Sequence, residues 1–381
     1  MNKTIIYFGN VFYPDKDAAA HRTIGNGKAL RHLGYEVLFV GCKRDEKRKL
    51  LDTCEHYEGF DIYYFSEPHS LRQWYDYLID FKPLKELMQV KSPSYVVLYN
   101  HPALSSKRIY NFCQKTGIKV IADCTEWFNP KGFSFHTIIK KVDTYLRMKH
   151  VNKQLDGIIA ISSFLQKYYQ KKGCNTICVP PLVDLKQDKW NKNKDYEAQE
   201  EVHLVYVGTP GTGGKDKLDV IIKALCNILK MNTCLKLVFD VIGIDLDYYK
   251  AYFDNSFNEE FVHFWGRKSN GEALEYIKKC DFTIFLREPN LVCTAGFPTK
   301  FSESLACGTP VLTNITSDLG RYLIEGKNGF VVDVTNFDSI CVSIYNALNI
   351  SKEKRAFMKD FCCSDSSFDY HSFVDVFKHM F

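Results

Sequence analysis

The chain has 381 residues, too many for one ordinary domain and suited to two of moderate size. Hydrophobic residues make up 45% and charged residues 25%, which excludes a disordered or fibrous chain and allows a core in both halves. Fifty basic residues against 45 acidic ones leave a formal net charge of +5, too mild an excess to mark a nucleic-acid binder.

The N-terminus, MNKTIIYFGN, runs straight into a strand without the apolar stretch of a signal peptide. No run approaches the ~18 apolar residues of a spanning helix, so any membrane contact is expected to be peripheral. The 14 cysteines are scattered and form no CxxC pair. Cys174 and Cys178 lie close together without a neighbouring His or Cys cluster, so no metal site is expected and a reducing cytoplasm is.

Through the first half, short apolar runs alternate with amphipathic segments. Thr4–Gly9, Glu36–Gly41, Ile62–Phe65, Tyr95–Tyr99, Lys119–Asp123 and Gly157–Ser162 are apolar on both faces and predict buried parallel strands. Helices are predicted between them at His21–Leu33, Leu71–Val90, Ser105–Thr116 and Phe164–Lys172, which implies a doubly wound α/β sheet. Within residues 136–153, Lys140, Lys141, Arg147, Lys149 and Lys153 face a single acid, Asp143, while Ile138, Ile139, Val142, Leu146 and Val151 recur at roughly helical spacing. Two readings fit that helix: a solvated face on a core-packing helix, or a contact with anionic phospholipid or a lipid-pyrophosphate acceptor.

The charged stretch Asp184–Glu201 reads as a linker. The alternation then restarts, with strands predicted at Val202–Gly208, Leu235–Gly243, Phe261–Trp265, Asp281–Leu286, Pro310–Thr313 and Gly329–Val332. The end, Phe368–Phe381, is predicted to be an amphipathic helix rich in aromatics that needs a surface to cover.

Two constellations carry chemistry. In Tyr206–Lys215 a strand end at Gly208 leads through Gly211, Gly213 and Gly214 to a helix expected near Lys215. Glycines let backbone N–H groups approach a ligand, and a helix start adds positive potential, which suits a diphosphate; a plain structural turn fits as well. It is not a Walker loop, because Asp216 follows the lysine. In Arg287–Asn314, Pro298 and Thr299 are expected to open a helix on which Lys300 and Glu303 share one face. A cation there suits a phosphate, and a carboxylate one turn on suits ribose hydroxyls. A surface Lys–Glu ion pair is the plainer alternative. Asp245-Leu246-Asp247 imitates a metal-binding DxD but sits past a strand as a solvated loop would.

The segment Ala295–Asn314 (AGFPTKFSESLACGTPVLTN) resembles the donor-binding motif of retaining, glycogen-synthase-like (family 4-type) glycosyltransferases of bacterial polysaccharide biosynthesis. Glu303-Ser-Leu-Ala-Cys-Gly308-Thr-Pro310-Val311 is similar to the second half of that motif, Pro298-Thr-Lys300 to a branch of the family, and Ala295 stands where its first glutamate falls. Val207-Gly208 with Lys215 resembles the strand-end Gly and downstream Lys that hold the donor diphosphate; Thr209 replaces the usual Arg, and Arg287 could supply that charge. Residues 9–41, 157–163 and 179–184 resemble the family more diffusely.

The resemblance implies a GT-B fold: two facing Rossmann-like domains with a donor cleft between them. Expected limits are 1–190 for an acceptor-binding domain, 200–367 for a nucleotide-sugar-binding domain, and 368–381 for a helix crossing back to the first. It implies transfer of a sugar from a nucleotide-diphosphate donor to an acceptor hydroxyl. Lys215, Lys300 and Arg287 would be catalytic, and Gly208, Thr209, Pro298, Thr299 and Glu303 donor-binding. Asn10, His21, Arg22, His101, Asp123 and Glu126, at predicted strand ends or the helix start beyond, are the acceptor candidates. No cofactor is expected beyond the nucleotide sugar as co-substrate. The expected partners are that donor, a glycan or polyprenyl-pyrophosphate-linked acceptor, and an anionic membrane at the inner face of the cytoplasmic membrane. A non-catalytic sugar-binding protein and a GT-B epimerase or hydrolase remain alternatives.

Overall fold

The computed structural model describes residues 3–44, 46–128, 132, 134–190, 197–210, 215–254, 257 and 260–381. Two compact units divide the chain: Met1–Val183 with Ala295–Phe297 and Asp369–Phe381, and Asp184–Thr294 with Pro298–Phe368.

The first unit runs β1 (Thr4–Gly9), α1 (Ala18–His32), β2 (Glu36–Lys43), β3 (Glu55–Tyr57), β4 (Phe60–Ser66), α2 (Leu71–Ile79), α3 (Lys82–Lys91), β5 (Tyr95–Tyr99), α4 (Ala103–Thr116), β6 (Lys119–Cys124), α5 (Phe135–Leu146), β7 (Gly157–Ala160), α6 (Ser163–Gln170) and β8 (Thr176–Cys178). Its sheet has the order β3-β4-β2-β1-β5-β6-β7-β8. Every pairing is parallel except the β3–β4 hairpin. β1 is buried along its whole length, as a central parallel strand covered on both faces must be. α1 lies close on the sheet because Gly27 has no side chain: a Cβ there would stand 2.5 Å from Phe39. Strand order reverses between β1 and β5, the place where doubly wound sheets open a crevice.

Two helical expectations are corrected. The segment Leu71–Val90 is two helices: α2 ends at Ile79, Asp80 takes extended backbone, and Pro83 falls in the first turn of α3. Proline lacks an N–H and cannot continue a helix, but is accommodated at its start. The basic segment 136–153 leaves α-helical geometry at Arg147, passing through a π-turn (Arg147–Val151) and a 3-10 turn (Asn152–Gln154). Arg147 is buried there rather than solvated.

The second unit contains β9 (Val202–Val207), α7 (Leu218–Met231), β10 (Leu237–Ile242), α8 (Leu246–Tyr252), β11 (Val262–Phe264), α9 (Asn270–Lys279), β12 (Phe282–Phe285), α10 (Leu291–Ala295), α11 (Thr299–Ala306), β13 (Val311–Thr313), β14 (Gly329–Val331), α12 (Phe337–Leu348) and α13 (Lys352–Ser364). The sheet order is β11-β10-β9-β12-β13-β14, parallel throughout. This is the Rossmann order, with its reversal between β9 and β12.

The expected single helix over Phe368–Phe381 is a 3-10 turn (Tyr370–Phe373) followed by a short α14 (Val374–Lys378). Phe368 packs on Phe301 and Tyr322 in the second unit. Val374, Phe377 and Met380 belong to the core of the first unit, together with Ile5, Tyr7 and Phe39. Tyr35 and Tyr95 both donate hydrogen bonds to the Phe381 carbonyl, at 2.6 and 3.0 Å.

Candidate functional site

In the second unit, the strand reversal brings together residues from β9, β12 and α11. Gly208 follows β9 at a φ of +132, a region that favours glycine, and a Cβ there would lie 2.8 Å from Lys300 Cε and 3.0 Å from its Nζ. The bare glycine thus admits the lysine. The Lys300 ammonium donates to Tyr206 Oη at 2.9 Å, sits 4.1 Å from the centre of that ring, and is in direct contact with the Asp216 carboxylate. Tyr206 Oη donates to Asp216 Oδ2 at 2.9 Å, and Arg287 Nε lies 3.5 Å from Asp216 Oδ1. Asn314 fixes the strand-end backbone of Arg287 from both sides, accepting from its N–H at 2.8 Å and donating to its carbonyl at 2.9 Å.

The electrostatics follow from burial. Asp216 is 8% exposed. Desolvation pushes its carboxyl up, but Lys300 and then Arg287 outweigh that and hold it below the usual carboxylate value. Burial draws the Lys300 ammonium below its ordinary value; Asp216 opposes this, and the charges of Arg287 and Lys215 add to it. Arg287 is 5% exposed, and its Nε and Nη1 have no hydrogen-bond partner. A buried guanidinium left so is costly unless an anion completes it. One carboxylate between the buried Arg287 and the half-buried Lys300 leaves net positive charge, a chemistry suited to a phosphate.

The structure brings Lys300 and Arg287 to this point, with Gly208 beside Lys300. Lys215 is exposed, on the loop ahead of α7, which begins at Leu218 and not near Lys215. Thr209 is exposed on the strand-end loop; Gly211, Gly213 and Gly214 lie outside the described residues. Pro298 is the N-cap residue of α11, not part of its first turn, and Thr299 and Glu303 are half-buried on that helix. Ser304 pins α11 to the sheet, its hydroxyl donating to the Thr309 carbonyl at 3.0 Å and lying 2.6 Å from Thr283 Oγ1. Asp216, the residue sequence reasoning passed over, sits at the centre. The DxD look-alike is a helix start: Asp245 accepts from Tyr248 N at 2.7 Å to cap α8.

The acceptor candidates separate. Arg22 and Asp123 are buried and paired at 2.7 Å, with Tyr7 also donating to Asp123 and Arg22 Nη1 to the Val179 carbonyl at 2.8 Å. Their polar groups are thus used inside the unit, tying α1 to β6 and β1. His101 is buried against Phe8 and Tyr77, with Nε2 2.8 Å from Ser105 Oγ, and burial, then Arg147, lower its pKa to about 3. His21 Nε2 lies 3.2 Å from the Asp15 carbonyl. Asn10 and Glu126, by contrast, line one cavity of about 580 Å³ in the first unit, walled by α2 and α5. Among the described residues, Cys54, His56 and Asp61 on the β3–β4 hairpin are grouped closely enough to hold a metal ion, which the sequence reading did not foresee.

Both units carry the Rossmann-like parallel sheet, and the chain matches solved structures of the GT-B class over nearly its whole length. Sucrose-phosphate synthase from Thermosynechococcus elongatus matches with a TM-score of 0.71 at 14% identity, over 99% of this chain and 97% of that one. HepE of Anabaena, solved with UDP and glucose, matches with a TM-score of 0.66 at 14% identity, over 99% and 98%. A glycosyltransferase from Rickettsia africae matches with a TM-score of 0.65 at 15% identity, over 99% and 96%. At such identities these likenesses show the fold. Residues 189–360 match the family described as "Glycosyl transferases group 1". A comparison with curated proteins finds no match.

Proposed function

We propose that the protein is a sugar-nucleotide-dependent glycosyltransferase that moves a hexosyl group from a nucleotide-diphosphate donor to an acceptor hydroxyl with retained configuration, in cell-surface polysaccharide or glycoconjugate synthesis. The observation that carries this reading is the Lys300–Asp216–Arg287 cluster at the strand reversal of the second unit, its carboxylate and guanidinium buried and Arg287 Nη1 unpartnered. It lies within the residues that match the group 1 glycosyl transferases. Neighbouring folds solved with UDP and with UDP-glucose support a nucleotide sugar as the donor.

The chain's own groups would act as follows. Lys300 and Arg287, with Lys215 from the loop, offset the negative charge that grows on the leaving diphosphate as the glycosidic bond breaks. Asp216 holds the two cations at one point, and so keeps them oriented before the donor arrives. Glu303, one turn along α11 from Lys300, would hold the ribose hydroxyls. With cations in that role no metal is required, and activity is expected to persist in EDTA; complete loss restored by manganese would sink this part. The acceptor would be a glycan or a polyprenyl-pyrophosphate-linked glycan. Among the described residues no helix is long and apolar enough to cross a membrane, and a peripheral contact of α5 with anionic lipid at the cytoplasmic face would bring the enzyme to such an acceptor.

A panel of nucleotide sugars, incubated with and without acceptor, tests the reading. Acceptor-dependent release of the nucleotide diphosphate supports transfer. Acceptor-independent conversion would make it an epimerase or hydrolase, and binding without turnover would make it a sugar-binding protein.

A further inference from the structure

The β3–β4 hairpin carries side chains that the donor chemistry does not use. Its two-residue turn, Glu58-Gly59, has positive φ at both positions, +49 and +76, the twist that lets two strands meet without splaying. Such a turn fixes the register, and His56 falls directly opposite Asp61. Their side chains meet there, with His56 Nδ1 2.7 Å from Asp61 Oδ1. Side chains alternate faces along a strand, so Cys54, two residues before His56, shares that face. One step beyond the pair Glu55–Ile62, the register sets Cys54 across from Tyr63. A side-chain hydrogen bond joins Cys54 to Tyr63, which is also hydrogen-bonded to Lys91 of α3.

The Cys54 sulfur, a His56 ring nitrogen and an Asp61 carboxylate oxygen lie within 4.8 Å of one another. Tetrahedral zinc, with bonds of about 2.0–2.3 Å, places its ligand atoms roughly 3.3–3.8 Å apart. To hold such an ion, His56 and Asp61 part slightly and the thiol draws in. Cys54 and His56 are both exposed, so these are small side-chain adjustments. Among the described residues, no other three His, Cys, Asp or Glu side chains come together in this way.

The donor set selects the ion. Calcium and magnesium require several oxygen ligands, and one carboxylate does not supply them. A thiolate with an imidazole suits zinc and its chemical neighbours. A His56–Asp61 ion pair by itself gains little at an exposed position and makes no use of the thiol. Free cysteine is among the most buried residue types, yet this one is exposed beside two further ligands. Tyr63, buried beneath it, supplies the outer hydrogen bond that orients a metal ligand.

We propose that Cys54, His56 and Asp61 bind a divalent ion of the zinc class, with water in the fourth position, and that the ion ties β3 to β4. β3 is a three-residue strand at the edge of its sheet, with a short ladder to hold it. Asp61 lies near the amino end of β4, whereas the crevice of a parallel sheet lies at the carboxyl ends. None of the donor residues takes part, so the site stands or falls independently of the glycosyltransferase reading.

The full chain, stripped with EDTA and desalted, tests this by titration with Zn²⁺ in a calorimeter and with Co²⁺ in a spectrophotometer. One equivalent of Zn²⁺ is expected to bind, and Co²⁺ to show the sulfur-to-metal charge-transfer band of a thiolate ligand. Cys54→Ser is expected to abolish that band. Cys54→Ser and His56→Gln are each expected to weaken Zn²⁺ about tenfold or more, and Tyr63→Phe about tenfold. Cys234→Ser, at an exposed cysteine outside the cluster, is expected to change nothing. Zn²⁺ is also expected to slow amide hydrogen exchange in β3. Absence of Zn²⁺ binding overturns the proposal, as does binding that survives both Cys54→Ser and His56→Gln. Displacement of the ion by excess Ca²⁺ or Mg²⁺ overturns the assignment to the zinc class, and unchanged exchange in β3 overturns the tie between the strands.

Discussion

Two cations, Lys300 and Arg287, converge on Asp216, and that geometry sets what each residue of the proposed donor cluster is expected to do. Lys300→Ala and Arg287→Ala remove charges held at the strand reversal, and each is expected to lower turnover by roughly 10²-fold or more. Lys215→Ala belongs to the same set, from an exposed position on the loop ahead of α7. Steady-state kinetics on the nucleotide-sugar substrate checks this; near-wild-type turnover in all three would remove the cluster from catalysis. Asp216 has a depressed folded pKa, so the stability it contributes is present above its unfolded value and lost as pH falls through the folded one. His101 works over a different window. Its folded pKa is lowered to about 3, so the unfolded chain binds the extra proton first, and stability falls as pH drops from about 6.5 toward 3. Urea unfolding between pH 5 and 7 is expected to show this slope and His101→Gln to flatten it; an unchanged slope would assign the titration elsewhere. The meeting of Lys300 and Arg287 was legible in part, because Pro298, Gly308 and the strand ends frame both within one short segment. Asp216 was not: beside Lys215 it reads only as a departure from a phosphate loop, and its partners Lys300 and Arg287 reach it through the fold. Asp123 was legible as polar and strand-ending, but its burial against Arg22 depends on packing that no local pattern reports.

Among the elements, the central strands were easy to read because burial on both faces demands continuous Val, Ile, Leu and Tyr. The three-residue strands β3 and β8 were not, being short and partly polar. α2 and α3 merged into one predicted helix because the amphipathic period runs across both, and only Pro83 marks the new start. In α5 the period was read well but its continuation was not, since nothing local announces a π-turn at Arg147. That turn decides which basic residues of this segment can face a membrane. Ile138, Val142 and Tyr145 lie on one exposed face of α5, at 47%, 53% and 58% exposure. Lys141 and Lys149 are half-buried, and Lys140 lies over the Phe128 ring. Arg147 is turned inward and bonded to Asn100, so it belongs to the fold. If α5 meets lipid, the protein is expected to cosediment with anionic vesicles and to release as salt rises, because exposed charges are screened over ~10 Å at 0.1 M. Replacing Lys140, Lys141 and Lys149 with Ser, and leaving Arg147 intact, is expected to abolish cosedimentation and to spare UDP affinity. Wild-type indifference to anionic vesicles would return α5 to the solvated-face reading.

For the whole molecule, the chain's last stretch is the most instructive segment. The sequence offered a stripe of aromatics from Phe368 onward that no soluble surface would leave bare. Packing divides that stripe: Phe368 is covered by Phe301 and Tyr322 in the second unit, while Val374, Phe377 and Met380 enter the core of the first. An amphipathic period states that a face must be covered, but the covering strands β1 and β2 lie hundreds of residues away, so the partner is a property of topology. Phe377 is fully buried, and Phe381 closes against Tyr35 and Tyr95. Removing a buried Phe side chain costs about 3–5 kcal/mol, which a domain of ordinary stability feels sharply. Phe377→Ala is therefore expected to destabilise the first unit, whereas Asp375→Ala, on the exposed side of α14, is expected to stay within about 0.5 kcal/mol of wild type. Because a chain of two units need not unfold in one step, amide hydrogen exchange is the better measurement. In Phe377→Ala, protection is expected to fall first in β1, β2 and β5, the strands around which this core is built. Equal protection of those strands in the two variants would mean that α14 rests on the first unit without stabilising it.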